Sequence, residues 1–198
     1  ALAQCSGIVP TIHIVNGPAV SGPALLIGLA DFVVMTEAAY AFVSGPTMVA
    51  EFTGEVVSND ELGGATTHGR TSGVATLVVA DLDAAAVAVE QLLTYLPNHV
   101  DDLPETIDAD DPWDRPTPEA GDCIPASSTG SYDVRKVITA LVDDGEFLEL
   151  RARWAANAVT AFARIDGRVV GILANQPMVL AGTLDIPASQ KAARFVAF

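Results

Sequence analysis

Hydrophobic and polar positions divide the chain into two periodic regions on either side of a polar one. Thr11–Asn16 is a short β-rich run, followed by the breaker Gly17-Pro18 and an apolar, helix-compatible segment, Pro23–Ala30. Phe32–Met35 and Tyr40–Val43 read as buried strands, and Gly45-Pro46 opens a short helical pattern through Phe52. Ser58 and Glu61 have capping-box spacing, and Ala75–Ala80 reads as a strand. Asp81 then caps a predicted helix to Leu96, with Leu82, Ala85, Val89, Leu92 and Leu96 on one face. Strands and helices interleave, so this half is α/β with buried strands. After the polar region, Tyr132–Leu141 carries Val134, Val137, Ile138 and Leu141 at helical spacing. Ala161–Ile165 and Arg168–Asn175 flank Asp166-Gly167, a type I′ hairpin signal, and Ser189–Phe198 predicts a helix packing on that new sheet. A lone hairpin with one helix is marginal as a fold.

Charge explains the polar region. Of the chain's net −15, the run from Asp101 to Asp122 carries −8: nine acidic side chains against one base, Arg115. Six of the 12 prolines lie in or beside it, and such a mixture neither forms a long helix nor buries itself. Residues 100–126 are therefore expected to link two structured parts, 1–99 and 127–198. With 50% hydrophobic residues the chain can bury a sizeable core, and its acidic balance makes nucleic acid a poor partner. Asp31 interrupts the best apolar run, Ala24–Met35, short of the ~18 to 20 residues of a membrane span, so a soluble protein is expected. Cys5 and Cys123 lie far apart and outside any CxxC or Cys/His cluster, so neither a zinc site nor a disulfide framework is visible, and a reducing compartment is the default. The first residue is not Met and the last lies inside a helical pattern, which suggests a segment of a longer chain.

Chemistry points to the junction Gly17-Pro18-Ala19-Val20-Ser21-Gly22-Pro23, between a strand and a helix start. Backbone N–H groups at such a junction lack intrahelical partners and meet the positive end of the helix dipole, so they can hold an oxyanion such as an enolate. A purely structural turn is the competing reading. A hydrolase reading makes Ser21 a nucleophile, His68 its base and Asp31 the orienter, but the G-x-S-x-G pattern is missing, with Ala19 at the first Gly. His13, His99 and Asp31 read as packing, surface and turn-forming residues, and His68 as either a loop-ordering or a functional side chain.

Taken together, these stretches resemble the carboxyltransferase (beta) subunit of biotin-dependent acyl-CoA carboxylases of the propionyl-CoA and acetyl-CoA carboxylase type. The resemblance runs through Gly7-Ile8-Val9-Pro10, Gly17-Pro18 to Asp31-Phe32, Phe42-Val43-Ser44-Gly45-Pro46, Glu61-Leu62-Gly63-Gly64-Ala65 with His68, and Ser72-Gly73-Val74-Ala75. It continues at Tyr95-Leu96-Pro97, Ile124-Pro125, Tyr132-Asp133-Val134, Phe162-Ala163-Arg164, Asn175-Gln176-Pro177 and Leu184-Asp185 with Ser189, Lys191 and Ala193-Arg194-Phe195. It implies a crotonase (ClpP/crotonase-like) spiral of ββα units. Residues 1–99 would be the rear of an acyl-CoA-binding domain and 127–198 the start of a biotin-side domain.

By the same resemblance, a carboxyl group passes from carboxybiotin on a partner carrier to the α-carbon of an acyl-CoA, through an enolate held by the backbone amides of Ser21 and Gly22. Acyl-CoA contacts fall on Gly17, Pro18, Gly45, Pro46, Gly63, Gly64 and Ala65, and biotin-side contacts on Asn175 and Gln176, which shape the cleft through their amides. Implied partners are a biotin carboxylase with its biotinylated carrier, further copies of the chain and acyl-CoA, with no metal, nucleic acid or membrane. The implied compartment is the cytoplasm, or the mitochondrial matrix in a eukaryote. A biotin-dependent decarboxylase subunit or a non-catalytic scaffold are the alternatives. Departures from the family pattern are Ser21-Gly22-Pro23, where two adjacent glycines and an Ala are usual, and Leu25-Leu26-Ile27, where Tyr-Ser-Pro is common. Lys191 and Arg194, at i and i+3, are expected in surface ion pairs, with the acidic linker or a CoA phosphate as other partners.

Overall fold

A computed structural model describes residues 2–112, 114–127 and 129–198; Ala1, Trp113 and Ser128, in the expected first domain, linker and second domain, lie outside the described residues. Two compact units divide the chain, one running to Leu93 and including Pro97–Asp102, the other comprising Thr94–Leu96 and Leu103–Phe198.

In the first unit, helix α1 (Leu2–Cys5) precedes strands β1 (Ile12–Val15) and β2 (Pro18–Val20) and helix α2 (Gly22–Ile27). The order strand, strand, helix recurs as β3 (Phe32–Thr36), β4 (Tyr40–Phe42) and α3 (Pro46–Thr53). Then come α4 (Asn59–Gly63), α5 (Ala65–Thr67), a π-helical turn at His68–Ser72, β5 (Leu77–Val79) and α6 (Leu82–Leu93). The leading strand of each round enters one parallel sheet, β1-β3-β5, and the second strands pair as a separate parallel ribbon, β2-β4. Central β3 is buried along its whole length, which is why its sequence is apolar without alternation. Asp31 ties the starts of β1 and β3 together, its carboxylate accepting from the Thr11 N–H at 2.8 Å and hydroxyl at 2.7 Å. The capping box forms, and the Ser58 N–H and hydroxyl hold the Glu61 carboxyl below the usual range. Asp81 caps α6 through the Ala84 N–H, but the helix stops at Leu93, short of the expected Leu96.

Strand β2 differs from the expectation of a breaker at Gly17-Pro18. A proline is tolerated as the first residue of a strand, where its missing N–H costs no ladder bond, and three residues leave little pattern to read.

The second unit contains α7 (Pro118–Asp122), α8 (Val134–Leu141), β6 (Phe147–Leu150), β7 (Ala158–Ile165), β8 (Arg168–Asn175) and α9 (Ile186–Ala197). The expected hairpin is present, with Asp166 and Gly167 at φ 56° and 70°. It is not alone, because β6 pairs with β7 in an antiparallel sheet ordered β6-β7-β8. Leu148 and Leu150 of β6 are buried, while the intervening Glu149 takes a bidentate pair from Arg135 at 2.6 and 2.7 Å. Val134, Ile138 and Val142 pack against Val159 and Ala163 to form the core.

The acidic stretch is not a free tether. From Leu103 onward it belongs to the second unit: the Ile107 N–H donates to Gly167 O at 3.2 Å, and Arg115 binds Asp111 at 2.5 Å and the Val142 carbonyl at 3.1 Å. Gly167 is required here twice over, by its positive φ and because a Cβ would stand 1.8 Å from Ile107 O. Hydrogen bonding to backbone groups anchors a segment that hydrophobic burial alone would leave loose.

Lys191 also departs from expectation. It is 1% exposed, not a surface ion-pairing residue, and its ammonium donates to the carbonyls of Ala158 (2.7 Å), Arg151 (2.9 Å) and Trp154 (3.0 Å). Those three donors bind the β6–β7 connection, in which Arg151 and Ala155 hold positive φ, and the first residue of β7. Burial pushes the Lys191 ammonium down to about 8; the Glu149 carboxylate opposes this, and Arg135 and Arg151 add to it. Between that value and its ordinary 10.5, the unfolded chain binds a proton that the folded chain has released, so this group makes stability rise with pH. Urea unfolding at pH 8 and pH 10.5 should therefore show the difference between wild type and Lys191→Met growing in favour of wild type, by on the order of 1 kcal/mol. A pH-independent difference would contradict the assignment.

Candidate active site

The junction singled out in the sequence is built by the β2-β4 ribbon. Its register pairs Pro18 with Tyr40, Ala19 with Ala41 and Val20 with Phe42. The ladder runs one bond beyond each strand, from Tyr40 N–H to Gly17 O at 3.3 Å and from Ser21 N–H to Phe42 O at 3.0 Å. Ser21 is the N-cap of α2 at φ 61°, ψ −115°, a left-handed conformation that costs a non-glycine residue of order 1–3 kcal/mol. Gly22 is the first helical residue and Pro23 the second, one position later than Pro is usually placed at a helix start. The Gly22 and Ala24 N–H groups belong to the first helical turn and have no carbonyl four residues back in the helix, whereas the Leu25 N–H already bonds Ser21 O. An open groove of about 500 Å³ lies alongside, lined by Ile12, Ile14, Gly17, Pro18, Pro23 and Leu26 among others.

The far edge of β4 is held by the Gly63–Ser72 segment. The Ala65 N–H donates to Ala39 O at 3.1 Å, and the His68 Nε2 lies 2.7 Å from Ala41 O. A carbonyl only accepts, so Nε2 donates, and in the neutral ring Nδ1 accepts from the Ser72 hydroxyl at 2.8 Å. Gly63 packs so closely that a Cβ there would stand 2.1 Å from Ala41 O, which excludes any other residue.

Gly17 and Pro18 thus stand at the start of β2 and Ser21 and Gly22 just past its end, where the chain enters α2, while Gly63, Gly64 and Ala65 abut the opposite edge of β4; Gly45 and Pro46 flank and begin α3. No triad forms. Both nitrogens of His68 are engaged with Ala41 and Ser72, and the Asp31 carboxylate is held by Thr11, so nothing connects either to the Ser21 hydroxyl. In the second unit, the Asn175 amide donates to Gly182 O at 2.6 Å. Gln176, 1% exposed, donates to Asp133 at 2.6 Å and accepts from Val134 N–H. The bonds from Gln176 and Arg135 outweigh desolvation and lower the Asp133 carboxyl. Asn175 thus ties down the Gly182 turn, and Gln176 the start of α8. What sequence reasoning missed is the far edge of β4: Ala41 lies 27 residues before His68, and no local pattern joins them.

Among the described residues no group of three or more His, Cys, Asp or Glu is placed to hold a metal, neither cysteine forms a disulfide, and no helix is long and apolar enough to cross a membrane.

Comparison with known proteins gives this architecture its family. Residues 1–198 match the carboxyl transferase domain. The chain is 44% identical over 198 residues to the methylmalonyl-CoA carboxyltransferase 12S subunit of Propionibacterium freudenreichii subsp. shermanii, covering 100% of this chain and 38% of that one. It is 43% identical over 204 residues to the propionyl-CoA carboxylase beta chain of Saccharopolyspora erythraea, covering 98% and 37%. The crystal structure of transcarboxylase 12S, a hexamer with hydrolysed methylmalonyl-coenzyme A bound, superposes with a TM-score of 0.95 at 44% identity over 98% of this chain and 38% of that one. The chain belongs to the carboxyl transferase family and has its crotonase-like fold. It spans less than two fifths of the length of these relatives, as the 38% and 37% coverages show.

The left-handed Ser21 carries its own test. Ser21→Gly removes the strain and keeps every N–H, so it should raise the unfolding free energy by about 1 kcal/mol in urea titration. A loss of stability would contradict the geometry of the turn.

Proposed function

We propose that the protein is the carboxyltransferase component of a biotin-dependent acyl-CoA carboxylase, placing a carboxyl group on the α-carbon of an acyl-CoA such as propionyl-CoA. The observation that carries this reading is the start of α2, where the Gly22 N–H has no helical acceptor and the next residue, Pro23, lines an open groove. When the α-C–H bond of a thioester breaks, the electron pair moves onto the carbonyl oxygen; a fixed N–H at that oxygen stabilises the enolate more than the neutral thioester. The pair then forms the new C–C bond to CO2 and the carbonyl is restored. Carboxybiotin on a partner protein would supply the CO2 by cleavage of its N–C bond, and the ureido group left behind would take up the α-proton. Of the oxyanion pair Ser21 and Gly22, the Gly22 N–H meets the substrate, and the Ser21 N–H, bound to Phe42 O, fixes the turn.

Gly17 and Pro18 line the groove and take the acyl-CoA together with Gly45 and Pro46; Gly63, Gly64 and Ala65 act through β4. Asn175 and Gln176 shape the biotin side by holding their neighbours' backbone. Residues 1–99 form the acyl-CoA part and 127–198 the biotin part, and 100–126 connect them. A biotin carboxylase with its carrier and further copies of the chain complete the enzyme, as the hexamer of the 12S relative supports. The cytoplasm, or the mitochondrial matrix in a eukaryote, is its compartment.

The full-length protein, given a carboxylated biotin carrier and propionyl-CoA, should form methylmalonyl-CoA, and Ser21→Ala should keep most of that activity. Failure to carboxylate acetyl-, propionyl- and longer acyl-CoA would overturn the assignment, and labelling of Ser21 by a fluorophosphonate would favour the hydrolase.

A further inference from the structure

We propose that His68 is a positioning residue for the oxyanion turn: by donating to Ala41 O on the outer edge of β4, it fixes the strand whose inner edge holds the Ser21 N–H and so directs the Gly22 N–H. This rests on the carboxyltransferase reading given above.

The need for such a residue follows from the size of the ribbon. Strands β2 and β4 have three residues each, and a two-stranded pair so short is not stable alone. Among the described residues no third strand joins it, and its outer edge meets only an isolated antiparallel bridge between Tyr40 and Gly64, so the carbonyls on that edge of β4 draw on donors from the Gly63–Ser72 segment. Tyr40 and Phe42 face β2, through Tyr40 N–H to Gly17 O and Phe42 O to Ser21 N–H. Ala39 and Ala41 therefore face outward, as the alternation of a strand requires. Ala39 O receives the Ala65 N–H, and Ala41 O receives the imidazole of His68.

The ring is prepared for this. It sits on a π-helical turn, where the wider i→i+5 spacing marks a local departure from the α-helix. The Ser72 hydroxyl donates to Nδ1 and itself accepts the Val74 N–H at 3.3 Å, which commits the proton of a neutral ring to Nε2. The Gly63 backbone closes on the same carbonyl, leaving the ring a defined line of approach. Ala41 and Phe42 are adjacent, so a shift of β4 at Ala41 moves the acceptor of the Ser21 N–H directly.

The test uses the full-length protein and two readouts, amide hydrogen exchange at Ser21 and steady-state acyl-CoA carboxylation. In His68→Ala, Ser21 exchange should quicken about tenfold or more and kcat should fall about tenfold to a hundredfold, with KM for acyl-CoA within about twofold. His68→Gln, whose amide N–H reaches about as far as Nε2, should recover most of both. Wild-type exchange and kcat in folded His68→Ala, or a His68→Gln as impaired as His68→Ala, would overturn the proposal. Should His68→Ala not fold, Ser72→Ala decides, because it releases the ring without removing it: faster Ser21 exchange with lower kcat supports the role, and unchanged values overturn it. Exchange needs no substrate, so a wild-type protein without carboxylation activity would count against the function while leaving the exchange result to judge His68.

Discussion

The hydrogen bond from the Ser21 N–H to the Phe42 carbonyl is the constraint on which the candidate site depends. It closes the β2-β4 ribbon at the point where the chain must turn from strand to helix, and holds Ser21 in a conformation an unconstrained serine avoids. With the turn fixed, the start of α2, whose Pro23 lines the groove, is held in place. Everything that fixes β4 therefore acts on the site: its pairing with β2, the Ala65 amide, the close approach of Gly63 and the His68 ring. The proposed acyl-CoA chemistry needs a dipole in a fixed position more than an acid or base from the protein, so these supports would matter as much as the donor itself.

Much of this was legible from local pattern. The uninterrupted apolar run of β3, the capping box at Ser58 and Glu61, the Asp81 cap and the Asp166-Gly167 turn each carry their cause within a few residues. The strand-to-helix junction at Gly17–Pro23 was equally visible as a place where amides lose their partners. The assignment of a family rested on the order and spacing of many weak motifs and not on any one of them.

The remainder is tertiary. Strand β2 hides behind two breaker residues because a ladder partner 22 residues later, not local propensity, makes it a strand. Strand β6 carries a glutamate mid-strand, paired with Arg135 from the helix before it. Lys191 reads as a surface cation until three carbonyls from a distant loop converge on it. The acidic stretch reads as solvated because its anchors, Gly167 and Val142, follow it by tens of residues. Except at β6, where a guanidinium decides, the deciding group is a backbone carbonyl or amide, which no sequence pattern marks.

In the proposed function, a backbone amide at the start of α2 polarises the thioester of an acyl-CoA. The infrared stretch of carbonyl-¹³C propionyl-CoA bound to the full-length protein tests it most directly. A hydrogen bond from Gly22 predicts that the bound thioester carbonyl absorbs below its frequency in water; an unshifted frequency at saturating protein would contradict the account.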